Sequence, residues 1–250
     1  MAMKKSDIQR SAAPSNRKKK LFFTQKNAAA IHESIFSSTL ALYMALFWLA
    51  VLIPGSVFAI GNFHPSPEEL KLLPKYCTPR AYHWGNNRKD PRTRKWYKIF
   101  GDQYTRMHHY CQAMLNLRKA MLEFNPGSRK GLCAQAKNDL EYMEKGIPSD
   151  FVLLPELYVM FSQTYQCLGN PGSAFAYAEK AVRLRPDYVK GAITYADLAV
   201  KLGQREAARR VLETALKKKP RSHRLLRRMT CLKGHGQEDC PPGYNKESAE

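Results

Sequence analysis

Two segments of this chain repeat one another at a fixed distance, and that constrains the fold more than any other feature. Between Pro155 and Tyr188, residues Tyr158, Phe161, Ser162 and Tyr165 fall at helical spacing and Leu168-Gly169 ends that helix. Ala174, Ala178 and Ala181 then mark a second helix that stops at Pro186. Between Val189 and Ser222 the same order returns as Ala192, Tyr195, Ala196, Ala199, Leu202-Gly203, Ala208, Leu212, Ala215 and Pro220. The glycines at 169 and 203, and the prolines at 186 and 220, are each 34 residues apart. Glycine suits the left-handed turn that ends a helix, proline cannot continue one, and alanines let antiparallel helices approach closely. Each segment therefore reads as a helical hairpin that buries its apolar face only by stacking on the next.

The pattern over residues 155–220 resembles the tetratricopeptide repeat (TPR) family, with two departures: Ala178 stands where a large aromatic is usual, and Pro171-Gly172 lies in the turn of the first repeat. The resemblance implies an all-α, TPR-like solenoid whose first business is binding. Such stacks need about three units. An upstream hairpin over 102–146 supplies the third, from Tyr104, Met107, Cys111, Met114, Leu115 and Leu117 across the break Asn125-Pro126-Gly127 to Leu132, Ala136, Leu140 and Met143. Leu225, Leu226, Met229 and Leu232 suggest a capping helix, so that two repeats plus cap fill 155–233. Residues 60–101, rich in Pro and aromatics, read as irregular apart from a short helix near Pro67–Leu72, and 234–250 as a flexible tail.

Residues 1–59 form a basic leader followed by an apolar run, Thr39 to Ile53, inside the uncharged stretch 34–63. Fifteen apolar residues are short for a spanning helix, which needs about 20, and suit a signal-peptide core. Val57-Phe58-Ala59 then offers a cleavage site after Ala59. Extension of the run to Phe63 gives the other reading, an uncleaved transmembrane anchor. Either way the repeats face the periplasm or cell exterior of a bacterial-type cell. All six cysteines, at 77, 111, 133, 167, 231 and 240, follow Ala59, as expected of an oxidising compartment. Six cysteines allow fifteen connectivities. Packing favours Cys77–Cys111, Cys133–Cys167 and Cys231–Cys240.

The formal charge is +20, and without residues 1–59, which carry eight cations and two anions, it is +14. In a stack of this kind the groove is lined by the first helix of each repeat, here Glu156, Val159, Gln163, Gln166, Lys190, Ile193, Asp197 and Lys201. Mixed polarity there suits an extended peptide or a partner helix. Arg205, Arg209, Arg210, Arg224, Arg227 and Arg228 read as a separate basic surface that would attract acidic polymer or anionic lipid. A groove binder loses its partner on Lys190→Glu or Asp197→Lys with its fold intact, and a surface binder loses it on reversal of Arg224, Arg227 and Arg228.

Cys77, His83, His108, His109 and Cys111 are zinc-ligand types, but adjacent histidines on a helix point about 100° apart, so a helix interface and a disulfide are the simpler reading. There is no Cys-x-x-Cys-His, phosphate-cradling loop, nucleophile elbow or His-Glu-x-x-His. Hence no cofactor, metal or small-molecule substrate is expected, nor catalysis. Nucleic acid is disfavoured as partner because an exported domain rarely meets it. The expected function is an exported scaffold or adaptor in assembly of an envelope or extracellular complex. The alternative is a structural or surface-attachment subunit using its basic face.

Overall fold

A computed structural model describes residues 63–234 and 240–244. The basic leader, the apolar segment and the cleavage site at Ala59 lie outside the described residues. The described residues are helical with no strand, and none of their helices is long and apolar enough to cross a membrane.

Short helix α1 (Pro67–Lys71) is closed by a capping box in which Ser66 and Glu69 satisfy each other's backbone N–H. Two 3-10 turns follow, Thr78–Ala81 and His83–Asn86, and then α2 (Pro91–Phe100). That last helix corrects the irregular reading of 60–101. Asp90 caps it by accepting from the Arg92 N–H, and Pro91 occupies its first turn, the two signals that start a helix.

Arg80 ties these turns together. Its guanidinium is buried, donating to the Gly85 carbonyl at 2.8 Å, to Asn86 Oδ1 at 2.7 Å and to the Thr105 carbonyl. At Gly85 a methyl group would overlap the Pro79 carbonyl, which is backbone and cannot swing away. Gly85→Ala is therefore expected to cost about 1–3 kcal/mol, the range for overpacking, read as a lower urea midpoint at unchanged slope. A midpoint equal to that of the parent protein would show that the turn yields.

Three hairpins and a cap come next. They are α3 (Met107–Leu122) with α4 (Pro126–Glu144), α5 (Leu154–Cys167) with α6 (Pro171–Leu184), α7 (Val189–Lys201) with α8 (Arg205–Lys218), and α9 (His223–Leu232). Gly169 and Gly203 take positive φ, 77° and 73°, at the turns where the repeat pattern places them. Helices α6 and α8 end two residues before Pro186 and Pro220. Pro171 disrupts nothing: it sits in the first turn of α6, and Asn170 accepts from the Ser173 N–H at 3.0 Å. Asn125 does the same for Ser128 at the start of α4. Both turns are written Asn-Pro-Gly-Ser, at 125–128 and 170–173, a signal the period-34 reading passes over.

Ala178 is buried, and the aromatic missing there stands one residue earlier. Tyr177 stacks on Phe161 with centroids 4.4 Å apart. The core runs through the stack in two main clusters. One joins α2, α3, α4 and α5; the other joins α7, α8 and α9, with Tyr244 sealing its end. Leu226, read as a cap core position, is exposed, while Leu225 and Met229 are buried. Residues 240–244 are not the free tail expected from 234 onward. Tyr244 is 1% exposed and its hydroxyl donates to Asp197 Oδ1 at 2.9 Å.

All six cysteines are paired, Cys77–Cys111, Cys133–Cys167 and Cys231–Cys240. The first ties the segment before the 3-10 turns to α3, the second ties α4 to the end of α5, and the third ties α9 to the chain after it.

Candidate functional site

The first helices α3, α5 and α7 lie side by side with α9, and their common face is a groove of about 540 Å³. Six of the residues expected there line it: Gln163 and Gln166 from α5, and Lys190, Ile193, Asp197 and Lys201 from α7. Two do not. Val159 is wholly buried, and Glu156 is half-buried outside the groove. At that end of α5 the space is taken by Tyr76, Tyr110 and Tyr188. Burial, followed by the nearby Glu156 charge, raises the hydroxyl pKa of all three. The groove therefore opens only along the second half of α5.

Helical spacing on α5 and α7 could not reveal the other wall. Leu117, Ala120 and Met121 come from the last turns of α3, and Arg129 and Cys133 from α4. Beyond Met121, which is 82% exposed, Leu122 and Phe124 are 76% and 93% exposed. The run Met-Leu-Glu-Phe at 121–124 was the available signal, an apolar string at a helix end with no repeat neighbour to cover it.

The basic surface is not separate from the groove. Arg224 and Arg228, four residues apart on α9, line it as well. Helix α9 rests on α7, which turns this stripe inward. Arg228, Arg209 and Arg205 have partners among the described residues. Arg228 grips Asp197 through two bonds of 2.7 and 2.8 Å. Arg209 pairs with Glu206 and Glu213. Arg205 donates to the carbonyls of Tyr244 and Leu232. Arg210 and Arg227 are exposed on α8 and α9.

Charge in the groove is one-sided. Its carboxylate, Asp197, is held by Arg228 and Tyr244. Lys190, Lys201 and Arg224 have no carboxylate within ion-pair distance among the described residues. Burial pushes the Lys190 ammonium below the usual lysine range; Glu156 opposes this, while Arg118 and Arg224 add to it.

Four of the five zinc-ligand types have other partners. Cys77 and Cys111 share a disulfide, and His109 Nδ1 meets Asp139 Oδ1 at 2.7 Å. His108 Nδ1 lies 3.1 Å from an Arg80 amino group. Burial, then the His109 and Arg80 charges, holds the His108 imidazole down to about 4, against an ordinary 6.5. A depressed histidine stabilises the fold fully above pH 6.5, and that stability is lost as pH falls towards 4. Because the ring is partly exposed, the loss is expected to be only about 1–2 kcal/mol. It should appear as a falling melting temperature over this window that His108→Gln flattens. Parallel profiles for the two proteins would exclude His108 as the cause.

Stacked antiparallel helix pairs with a groove across their first helices define a helical-repeat fold. Residues 168–229 match the family model of the tetratricopeptide repeat, so this part of the chain carries tetratricopeptide repeats. The match begins at the end of α5 and runs through most of α9, and repeats of this family generally mediate protein–protein interactions as non-catalytic scaffolds. No curated protein and no solved structure matches the chain significantly.

Proposed function

We propose that this protein is an exported or membrane-anchored scaffold whose groove seats an extended or helical segment of a protein partner during assembly of an envelope or extracellular complex. The observation that carries this is the groove itself, which crosses α3, α4, α5, α7 and α9 and sets polar side chains opposite apolar ones. Fully paired cysteines support a location outside the reducing cytosol, because thiols there are kept reduced. The periplasm or cell exterior is thus part of the proposal, with cleavage after Ala59 or retention as an anchor.

Two measurements test it. The first is intact mass of the protein from the cell envelope, with alkylation before and after reduction. Alkyl groups gained only after reduction support export, and a mass starting at Ile60 identifies the cleaved form. Six free thiols would end the export reading. The second is crosslinking from a photoreactive residue placed at Gln166, in the groove, against one at Glu179, on the second helix of that hairpin. A partner captured from both positions alike would remove the groove as the binding site.

A further inference from the structure

The geometry points to an acidic, amphipathic protein segment as the occupant of this groove, with carboxylates towards α7 and α9 and apolar side chains towards α3. The inference rests on the reading of the groove as the partner site and adds the partner's chemistry. On one side stand Lys190, Lys201 and Arg224, none within ion-pair distance of a carboxylate among the described residues. The groove's own acid cannot serve them, since Arg228 holds both of its oxygens and Tyr244 donates to one. Lys190 is partly buried, where a cation without a close counter-charge is unfavourable, and Lys201 and Arg224 stand exposed beside it. A carboxylate arriving from a partner gains charge-assisted hydrogen bonds there.

The facing wall is Leu117, Ala120 and Met121, with Arg129 beside them turned onto the Glu123 carbonyl, and the next residues along the chain, Leu122 and Phe124, are exposed as well. Adjacent large apolar side chains this exposed mark interaction surfaces. Methionine's flexible thioether also packs against varied apolar partners. A nucleic acid would match the cations but leave this wall in water, and none of the lining residues carries an aromatic ring on which a base could stack. A lysine-rich helix would match the wall and be repelled by the cations. An acidic amphipathic segment satisfies both. At about 540 Å³ the groove takes a few of its side chains, and falls within the roughly 300–1,000 Å³ of ligand pockets.

The test uses the oxidised full chain and three fluorescein-labelled peptides of equal length: one of alternating Glu and Leu pairs, its Lys/Leu counterpart, and oligoglutamate. Anisotropy titration is expected to show the Glu/Leu peptide binding at least about tenfold tighter than either control, since like charges oppose the one and the other leaves the apolar wall uncovered. Lys190→Glu with Arg224→Glu should weaken it by about tenfold or more and improve Lys/Leu binding, a gain that only folded protein can show. Met121→Ser should weaken both amphipathic peptides. Equal binding of the Lys/Leu peptide, equal binding of oligoglutamate, or indifference to the charge reversal would each overturn the acidic amphipathic occupant. If binding still depends on Met121 in those cases, the groove remains the partner site. Binding indifferent to every groove substitution would end both readings.

Discussion

Reduction of the three disulfides is expected to bring the repeat stack to the edge of unfolding at room temperature. In the chain-entropy account, closing a loop in the unfolded chain stabilises the fold roughly with the logarithm of loop length. Cys77–Cys111 and Cys133–Cys167 each span 34 residues, and Cys231–Cys240 spans 9. That gives about 4 kcal/mol for each long loop and about 2.5 kcal/mol for the short one. Their sum is comparable with the whole stability of an ordinary domain, about 5–15 kcal/mol. A urea titration with and without reductant reads the effect. Paired serine replacements should rank the two long bridges above the short one. Reduced protein with an unchanged urea midpoint would show that packing alone holds the stack. The reverse ranking would assign the larger effect to α9 and Tyr244 rather than to loop closure.

Asp197→Ala is expected to lower stability by about 2–3 kcal/mol, concentrated at the carboxyl-terminal end. This one carboxylate accepts two bonds from Arg228 and one from the Tyr244 hydroxyl, so it joins α7 to α9 and to residues 240–244. Removing it leaves a half-buried guanidinium and a buried hydroxyl without their acceptor, each a loss of about 1–3 kcal/mol before relaxation. Hydrogen exchange should quicken in α9 while α5 and α6 stay protected, because stacked repeats open from their ends. Lys190→Glu, in the same groove, should leave exchange unchanged. Uniform quickening across all helices would mean that Asp197 supports the whole stack, and no change would mean that the anchor is inert. The two positions thus separate: Asp197→Lys cannot serve as a fold-neutral groove test, and Lys190→Glu can.

Which parts of the chain were legible follows from where their causes lie. Hairpin turns are local. Gly169 and Gly203 need positive φ, and the prolines at 186 and 220 follow the helix ends, so a period of 34 is visible to anyone who aligns the segments. The cysteine pairs were legible as a preference, because helix packing favours some of the fifteen connectivities, and the structure closes the three preferred pairs. Helix α2 was passed over although Asp90 and Pro91 announced it, since proline and aromatic content suggested irregular chain.

The groove was only half legible. Periodicity on α7 locates Lys190, Ile193, Asp197 and Lys201 on one face whatever they touch, because 3.6 residues per turn is a property of the backbone. What covers that face depends on neighbours. Whether Val159 meets solvent or the core, whether Asp197 is a ligand or an anchor, and whether Arg224 and Arg228 face outward or into the groove all turn on how α3 and α9 lean against α5 and α7. The sequence by itself determined an all-helical repeat stack and its turns, since these are set by short-range backbone preference, and helix order favoured the cysteine partners without fixing them. Only the tertiary structure decided which charges are spent on internal pairs and which remain for a partner, because pairing depends on distances between residues some 30 or more positions apart, such as Asp197 with Arg228 and Tyr244.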